Sequence, residues 1–256
     1  MYAEERQHEI VTRARELGRV SVAELATHFD VTPETIRRDL DALSGRGLLS
    51  RVHGGAVPAE KLRLAEAPMG DREVTFPEEK LAIARRAVEL LPRREGLTVL
   101  MDSGTTTARL CGLLPSWVTL VVTNSVPSAA ALAARQEMDV HLLGGHVRGI
   151  TQATVGIQAL DALRRLHVDV VLMGTNGFSV QHGFSTPDPT ESAMKELMLR
   201  SGREVFVLAD SSKLGADYLV SFASVADADV LITDSKLPAA SVAEFTAAGL
   251  RVEIAD

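Results

Sequence analysis

The chain has 256 residues, 46% of them apolar and 24% charged, with a formal net charge of −7. That balance excludes a disordered polymer and leaves room for a small module of about 60 residues beside a domain of ordinary size. Its one cysteine, Cys111, excludes a disulfide framework and a thiolate metal site; no stretch approaches the roughly 18 apolar residues of a membrane span, and the charged opening lacks a signal core, so a cytoplasmic protein without membrane contacts is expected.

Ile10, Ala14 and Leu17 recur at helical spacing, which predicts a first helix from Arg6 to Leu17, closed by Gly18. Ser21 and Glu24 form a capping box with Val20 and Leu25 at the staple positions, predicting a second helix to about His28. Beyond a turn at Asp30 the start signal repeats: Val31 as staple, Thr32 as cap, Pro33 in the first turn and Ile36 as staple partner. The third helix then turns Ile36, Leu40 and Leu43 inward. Two short capped helices joined by a tight turn make a helix-turn-helix.

Thr35, Arg37 and Arg38 are left facing outward, suited to guanine edges or phosphates in the major groove of double-stranded operator DNA. Gly45 and Gly47 break the helix, and residues 48 to 57 read as a hairpin wing whose Arg51 and His53 can reach phosphate or a minor groove. With Ser21 and Thr32 at the two helix starts, these residues form the expected DNA-binding set. The acidic total does not oppose it, because DNA responds to local potential and Arg37, Arg38, Arg46 and Arg51 lie close together. The alternative is a plain three-helix unit with arginines on a solvated face.

Pro58, Pro68, Gly70 and Pro77, set among charged residues, mark 58–77 as a connector with room for one helical segment, between a DNA-binding module at 1–57 and a domain at 78–256. In that domain, apolar runs at 98–101, 120–122, 140–143, 168–173, 205–209 and 230–233 alternate with helical stretches. The fold class expected is α/β, with a Rossmann-like, mainly parallel sheet whose ligand lies beyond the carboxyl ends of the strands.

Small and hydroxyl-bearing residues stand at those ends: Asp102, Ser103, Gly104, Thr105, Thr106 and Thr107; Thr123, Asn124 and Ser125; Gly144 and Gly145; Gly174, Thr175, Asn176 and Gly177. A further loop brings Asp210 and Lys213. Residues 103–107 open an expected helix whose free amides favour an anion such as phosphate; Lys213 adds positive charge, and Asp102 and Asp210 can accept from sugar hydroxyls. Helix capping and turn formation explain the same residue types one loop at a time. His141, within a strand, is expected to be buried and bonded.

Thr-Ile-Arg-Arg-Asp-Leu at 35–40 and Gly-Leu-Leu-Ser-Arg-Val-His-Gly-Gly-Ala at 47–56 closely resemble the DNA-binding signature of DeoR-type repressors. Asp102 to Thr106, Thr123-Asn124, Gly144-Gly145, Gly183-Phe184-Ser185 with Glu191 and Lys195, and Asp210 to Lys213 resemble that family's sensor domain, so the likeness spans nearly the whole chain. The resemblance implies Arg37 and Arg38 on a recognition helix, Arg51 and His53 on the wing, and a sensor related to ribose-5-phosphate isomerase that binds a phosphorylated sugar. Glu191 and Lys195 join the effector set on this ground alone.

An isomerase needs an acid/base pair over the sugar carbons; the resemblance to ribose-5-phosphate isomerase implies acidic residues after the glycine of the fourth strand's loop, and here that loop, Gly174-Thr175-Asn176-Gly177, supplies no carboxylate, so sensing is favoured over turnover. No phosphate-binding P-loop, dinucleotide fingerprint or His-Glu-x-x-His motif is present, and neither a cofactor nor a metal is expected. A single helix-turn-helix binds weakly, so a homodimer or larger homo-oligomer on a repeated operator is expected.

Overall fold

The computed structural model describes residues 3–17, 20–46, 48–52, 55–58 and 68–256. They form two compact units, one of residues within 1–64 together with 216–218 and one built from 65–215 and 219–256. The first contains α1 (Ala3–Leu17), β1 (Val20–Ser21), α2 (Val22–Phe29), α3 (Pro33–Gly45), β2 (Leu49–Val52) and β3 (Gly55–Pro58).

Local chemistry sets these boundaries. The Ser21 hydroxyl accepts from the Glu24 amide at 3.1 Å and donates to the Glu24 carboxylate at 2.8 Å, while Asp30 ends α2 in the left-handed region at φ 52°. The Thr32 hydroxyl accepts from the Thr35 amide at 3.2 Å, with Pro33 in the first turn. Ile36, Leu40 and Leu43 are buried against Ile10, Ala14, Leu25 and Leu49, each large side chain contributing about 1.5–3 kcal/mol. The wing is a three-stranded antiparallel sheet in the order β1-β3-β2, with Val20 opposite Ala56. Its hairpin extends through Pro58, the residue at which the sequence places the start of the connector. Gly18, Gly47, His53 and the connector segment 59–67 lie outside the described residues, as does the side chain of Arg51.

The second unit opens with α4 (Met69–Glu73), α5 (Pro77–Leu90), β4 (Leu97–Met101), a 3₁₀ turn at Thr107–Gly112, β5 (Val118–Thr123), α6 (Val126–Ala133) and β6 (Asp139–Leu142). Then follow β7 (His146–Arg148), β8 (Ala153–Val155), α7 (Ile157–Leu163), β9 (Val168–Gly174), β10 (Gly177–Ser179), β11 (Gly183–Thr186) and α8 (Pro189–Ser201). The chain closes with β12 (Gly202–Leu208), a 3₁₀ turn at Ser211–Lys213, β13 (Val220–Ala223), a 3₁₀ turn at Val225–Asp227, β14 (Val230–Asp234), α9 (Ala239–Ala247) and β15 (Arg251–Ala255).

Seven parallel strands form the central sheet in the order β15-β14-β12-β9-β4-β5-β6. The chain runs outward from β4 to β6, returns to place β9 on the other side of β4, and continues through β12 and β14 to β15. The strand order therefore reverses between β4 and β9, where parallel α/β sheets open a crevice at their carboxyl ends. Side chains alternate across the sheet: Val99, Met101, Leu172 and Phe206 face α5 and α6, whereas Leu100, Val171, Met173 and Val207 face α7, α8 and α9. Among the described residues no helix is long and apolar enough to cross a membrane.

Every apolar run read as a strand joins this sheet. The structure adds β15, where exposed Arg251 alternates with apolar neighbours at the sheet edge, and the antiparallel pieces β7-β8 and β10-β11-β13. No α-helix follows Thr107; the six-residue 3₁₀ turn replaces it. The Thr107 hydroxyl bonds the carbonyls of Asp102 at 3.1 Å and Gly104 at 3.0 Å, a local alternative to helical pairing. His141 is not buried: β6 is an edge strand, and 60% of the His141 side chain is exposed, 3.4 Å from Asp139.

Candidate functional site

The carboxyl ends of β4 and β9 border a cleft. Its walls are Ser103, Gly104, Thr105 and Thr106 after β4, Gly174, Thr175 and Asn176 at the end of β9, Glu191 and Lys195 on α8, Lys213, and Arg72 on α4. About 290 Å³ of space lies between these walls, open solvent included, of which about 10 Å³ admits the centre of a water-sized sphere. The reversal of strand order thus brings together stretches of chain separated by dozens of residues. By sequence alone Arg72 belongs to the connector, and no motif there marks it as part of a site.

Buried charge pairs hold the cleft in shape. Lys195 Nζ contacts Asp102 Oδ2 and donates to the Gly174 carbonyl at 2.8 Å, and the Gly174 amide donates to Asp102 Oδ1 at 3.0 Å. Both Asp102 oxygens are thereby engaged within the protein, and the carboxylate lies behind the wall instead of facing a sugar hydroxyl. Burial pushes the Asp102 carboxyl above its ordinary pKa, opposed by Lys195. Glu191, also buried, accepts from the Thr151 hydroxyl at 2.5 Å and pairs with Arg148, whose other nitrogen lies 3.1 Å from Asp188. Asp188 caps α8, accepting from the amides of Thr190 at 2.8 Å and Glu191 at 3.0 Å.

Two features point to an anion. The Lys213 ammonium lies 3.7 Å from Asp210, and its pKa is pulled down to about 8 by burial, with Arg72, Lys80 and Lys195 adding repulsion and Asp210 opposing. The Thr106 hydroxyl is buried on the cleft wall and, among the described residues, has no hydrogen-bond partner. A buried hydroxyl left unpaired costs about 1–3 kcal/mol, a cost that an acceptor such as a phosphate oxygen removes.

The remaining loop residues support the wall from behind. Asn124 Oδ1 accepts from the Ser103 amide at 2.9 Å, and Asn124 Nδ2 donates to the Thr154 carbonyl at 3.3 Å. The Thr123 hydroxyl accepts from the Ser125 amide at 3.0 Å, and Ser125 caps α6 through the Ser128 amide at 3.3 Å. Gly145 sits at φ +140°, where a Cβ would come within 2.6 Å of the Val155 carbonyl oxygen. Gly144, Gly177, Thr107 and Asp210 likewise lie off the cleft wall, and Asp210 Oδ1 contacts the Ser212 hydroxyl.

In the first unit, α3 presents Arg37 and Arg38 to solvent with 53% and 82% of their side chains exposed. Glu34 lies 3.3 Å from Arg37 and 4.0 Å from Arg38; such exposed pairs are weak and readily exchanged for phosphates. The Thr35 hydroxyl bonds that of Thr32 at 2.9 Å, so Ser21 and Thr32 first serve as caps. Behind this face Arg6 Nε contacts Asp39 Oδ2 at 2.6 Å and Gln7 donates to Oδ1 at 3.0 Å, a buried pairing that helical periodicity does not reveal.

Residues 75–235 match the family model described as the DeoR C terminal sensor domain, and residues 6–61 match the DeoR-like helix-turn-helix domain. The HTH-type transcriptional regulator GlpR of Haloferax volcanii is 39% identical over 252 residues, 98% of either chain. The uncharacterized HTH-type transcriptional regulator FruR of Bacillus subtilis is 36% identical across 92% of this chain and 93% of its own. The glycerol-3-phosphate regulon repressor of Escherichia coli is 31% identical across 98% of both.

Proposed function

The chain belongs to the DeoR family of DNA-binding transcriptional regulators, and on that footing we propose that it represses a carbohydrate operon and is released from its operator by a phosphorylated sugar bound between β4 and β9. The observation that carries the effector half is the convergence of Lys195, Lys213, Arg72 and the unpartnered Thr106 hydroxyl at the reversal of strand order. Such a site suits a dianionic phosphate ester, with the cations and the Thr106 hydroxyl meeting its oxygens. The name of the Escherichia coli relative, a repressor of a glycerol-3-phosphate regulon, supports the same class of ligand.

In this reading 1–57 holds DNA through Arg37, Arg38 and the wing residues Arg51 and His53, 78–256 senses the effector together with α4 and its Arg72, and the rest of 58–77 joins them, in a cytoplasmic homodimer or larger assembly. Symmetric pairing doubles the readout of a single recognition helix. For ligand to release the operator, it must bind the DNA-competent form more weakly than the other form. Among the described residues Glu191 is the one carboxylate on the cleft wall; held by Arg148 and Thr151, it positions α8 in this reading instead of abstracting a proton.

The test uses the full-length chain and an operator fragment that it selects from genomic DNA. Melting temperature and operator affinity are followed with glycerol 3-phosphate, fructose 1-phosphate, fructose 6-phosphate and ribose 5-phosphate. At least one ester should raise the melting temperature by mass action and weaken operator binding. A panel without effect on either, or measurable turnover of ribose 5-phosphate, overturns the reading.

A further inference from the structure

Helix α4 stands out because main-chain contacts hold it down. None of its residues is buried. Instead Lys80, itself only 3% exposed, donates to the carbonyls of Arg72 and, at 2.6 Å, Thr75; Arg109 donates to the Glu73 carbonyl at 3.2 Å, and the Met69 amide to the Ile150 carbonyl at 3.1 Å. A five-residue helix with no buried residue belongs to the low-stability end of a domain. From it, Arg72 reaches the cleft wall shared with Lys195 and Lys213.

The charges give this arrangement a direction. Arg72 repels both Lys80 and Lys213, and Asp210 opposes the effect at each lysine. A dianion seated among Arg72, Lys195 and Lys213 turns that repulsion into shared attraction, so occupancy of the cleft and the placement of α4 are coupled by electrostatics. In sequence, α4 is the first described element after the DNA-binding unit.

We propose that Arg72 is an effector-binding residue and the one that transmits occupancy: a phosphate ester held by Lys213 and the Ser103–Thr106 loop is gripped by the Arg72 guanidinium, which fixes α4 at the head of the sensor unit. The inference rests on the phosphate-ester reading above. It assigns a binding role to a side chain outside every loop that the sequence picks out, and makes that residue the route by which the ligand acts on DNA binding.

The experiment compares the full-length wild type with Arg72→Gln, Arg72→Lys, Lys213→Gln and the distant surface variant Arg164→Gln. Glycerol 3-phosphate and fructose 1-phosphate are the probes, with inorganic phosphate as the minimal anion. Ligand affinity, operator affinity at saturating ligand, and hydrogen exchange of the 69–76 amides are measured. Arg72→Gln should weaken ester binding about tenfold, the loss of one charge-assisted contact. At saturation it should show less than half the wild-type change in operator affinity, and no ligand-induced protection of 69–76. Arg72→Lys should recover part of each. Lys213→Gln should weaken binding yet keep the full response once saturated, and Arg164→Gln should behave as wild type.

If the wild type binds ester and leaves the operator while Arg72→Gln responds equally at saturation, the transmission role is overturned and the effector reading stands. Unchanged ester affinity in Arg72→Gln overturns the binding role. If no ester binds the wild type, both fall.

Discussion

Arg6 Nε lies 2.6 Å from Asp39 Oδ2 in the interior of the DNA-binding unit, joining α1 to the helix that carries Arg37 and Arg38. Asp39 follows the two arginines directly, so its inward turn is the condition for theirs outward. Removing one partner leaves the other charge buried and unpaired. Asp39→Ala is expected to destabilise the first unit by about 3–5 kcal/mol, measured by urea denaturation, while leaving the sensor unit's transition in place. Asp39→Asn keeps an acceptor for Arg6 and should cost less.

On the outer face the expectation is the reverse. Arg37→Ala and Arg38→Ala remove exposed side chains and should change stability by less than about 0.5 kcal/mol. Each should nevertheless weaken operator binding at least about tenfold and reduce its salt dependence, as measured by fluorescence anisotropy across a salt series. Retained operator affinity in the double variant would move the DNA contact off α3.

Lys213 sets the pH dependence. Its folded pKa of about 8 lies below the ordinary 10.5, so between those values the unfolded chain keeps a proton that the folded site has released. Stability with respect to this group therefore rises with pH across that window, since the unfolded state binds more protons. Ligand affinity runs the other way, because a phosphate ester needs Lys213 charged. Binding should be strongest between the second phosphate pKa near about 6 and about 8, and should fall above it. Lys213→Gln should flatten the alkaline limb in calorimetric titrations.

Thr106→Val removes the unpartnered hydroxyl while keeping the shape of the side chain. The variant should be as stable as the parent or up to about 1 kcal/mol more stable, yet bind phosphate ester about tenfold more weakly. Thermal melting with and without ligand separates the two effects, and unchanged affinity would place the phosphate elsewhere.

Gly145→Ala distinguishes support from binding among the small loop residues. With φ at +140° and the Val155 carbonyl oxygen 2.6 Å from where a Cβ would stand, alanine is expected to cost about 1–3 kcal/mol in stability. Ligand affinity of the fraction still folded should be near wild type, measured by calorimetry on protein that has passed size-exclusion chromatography.

Much of this architecture follows from local rules that the sequence carries by itself. The Ser21 cap on the Glu24 amide, Thr32 with Pro33, and the inward series Ile36, Leu40 and Leu43 need only neighbours within a few residues, so the helix-turn-helix was legible, as were the central strands. Strand order was not legible, because the position of β9 beside β4 depends on how the chain returns across the sheet. That order decided which hydroxyls border the cleft and which stand behind it: Thr106 lines it, while Asn124 braces it and Ser125 caps a helix. Residue type cannot make that choice, since a serine or threonine in a turn has the same local preferences in either role. Arg72 joined the cleft for the same reason: α4 is held by Lys80 and Arg109, partners that come within reach only once the domain has folded.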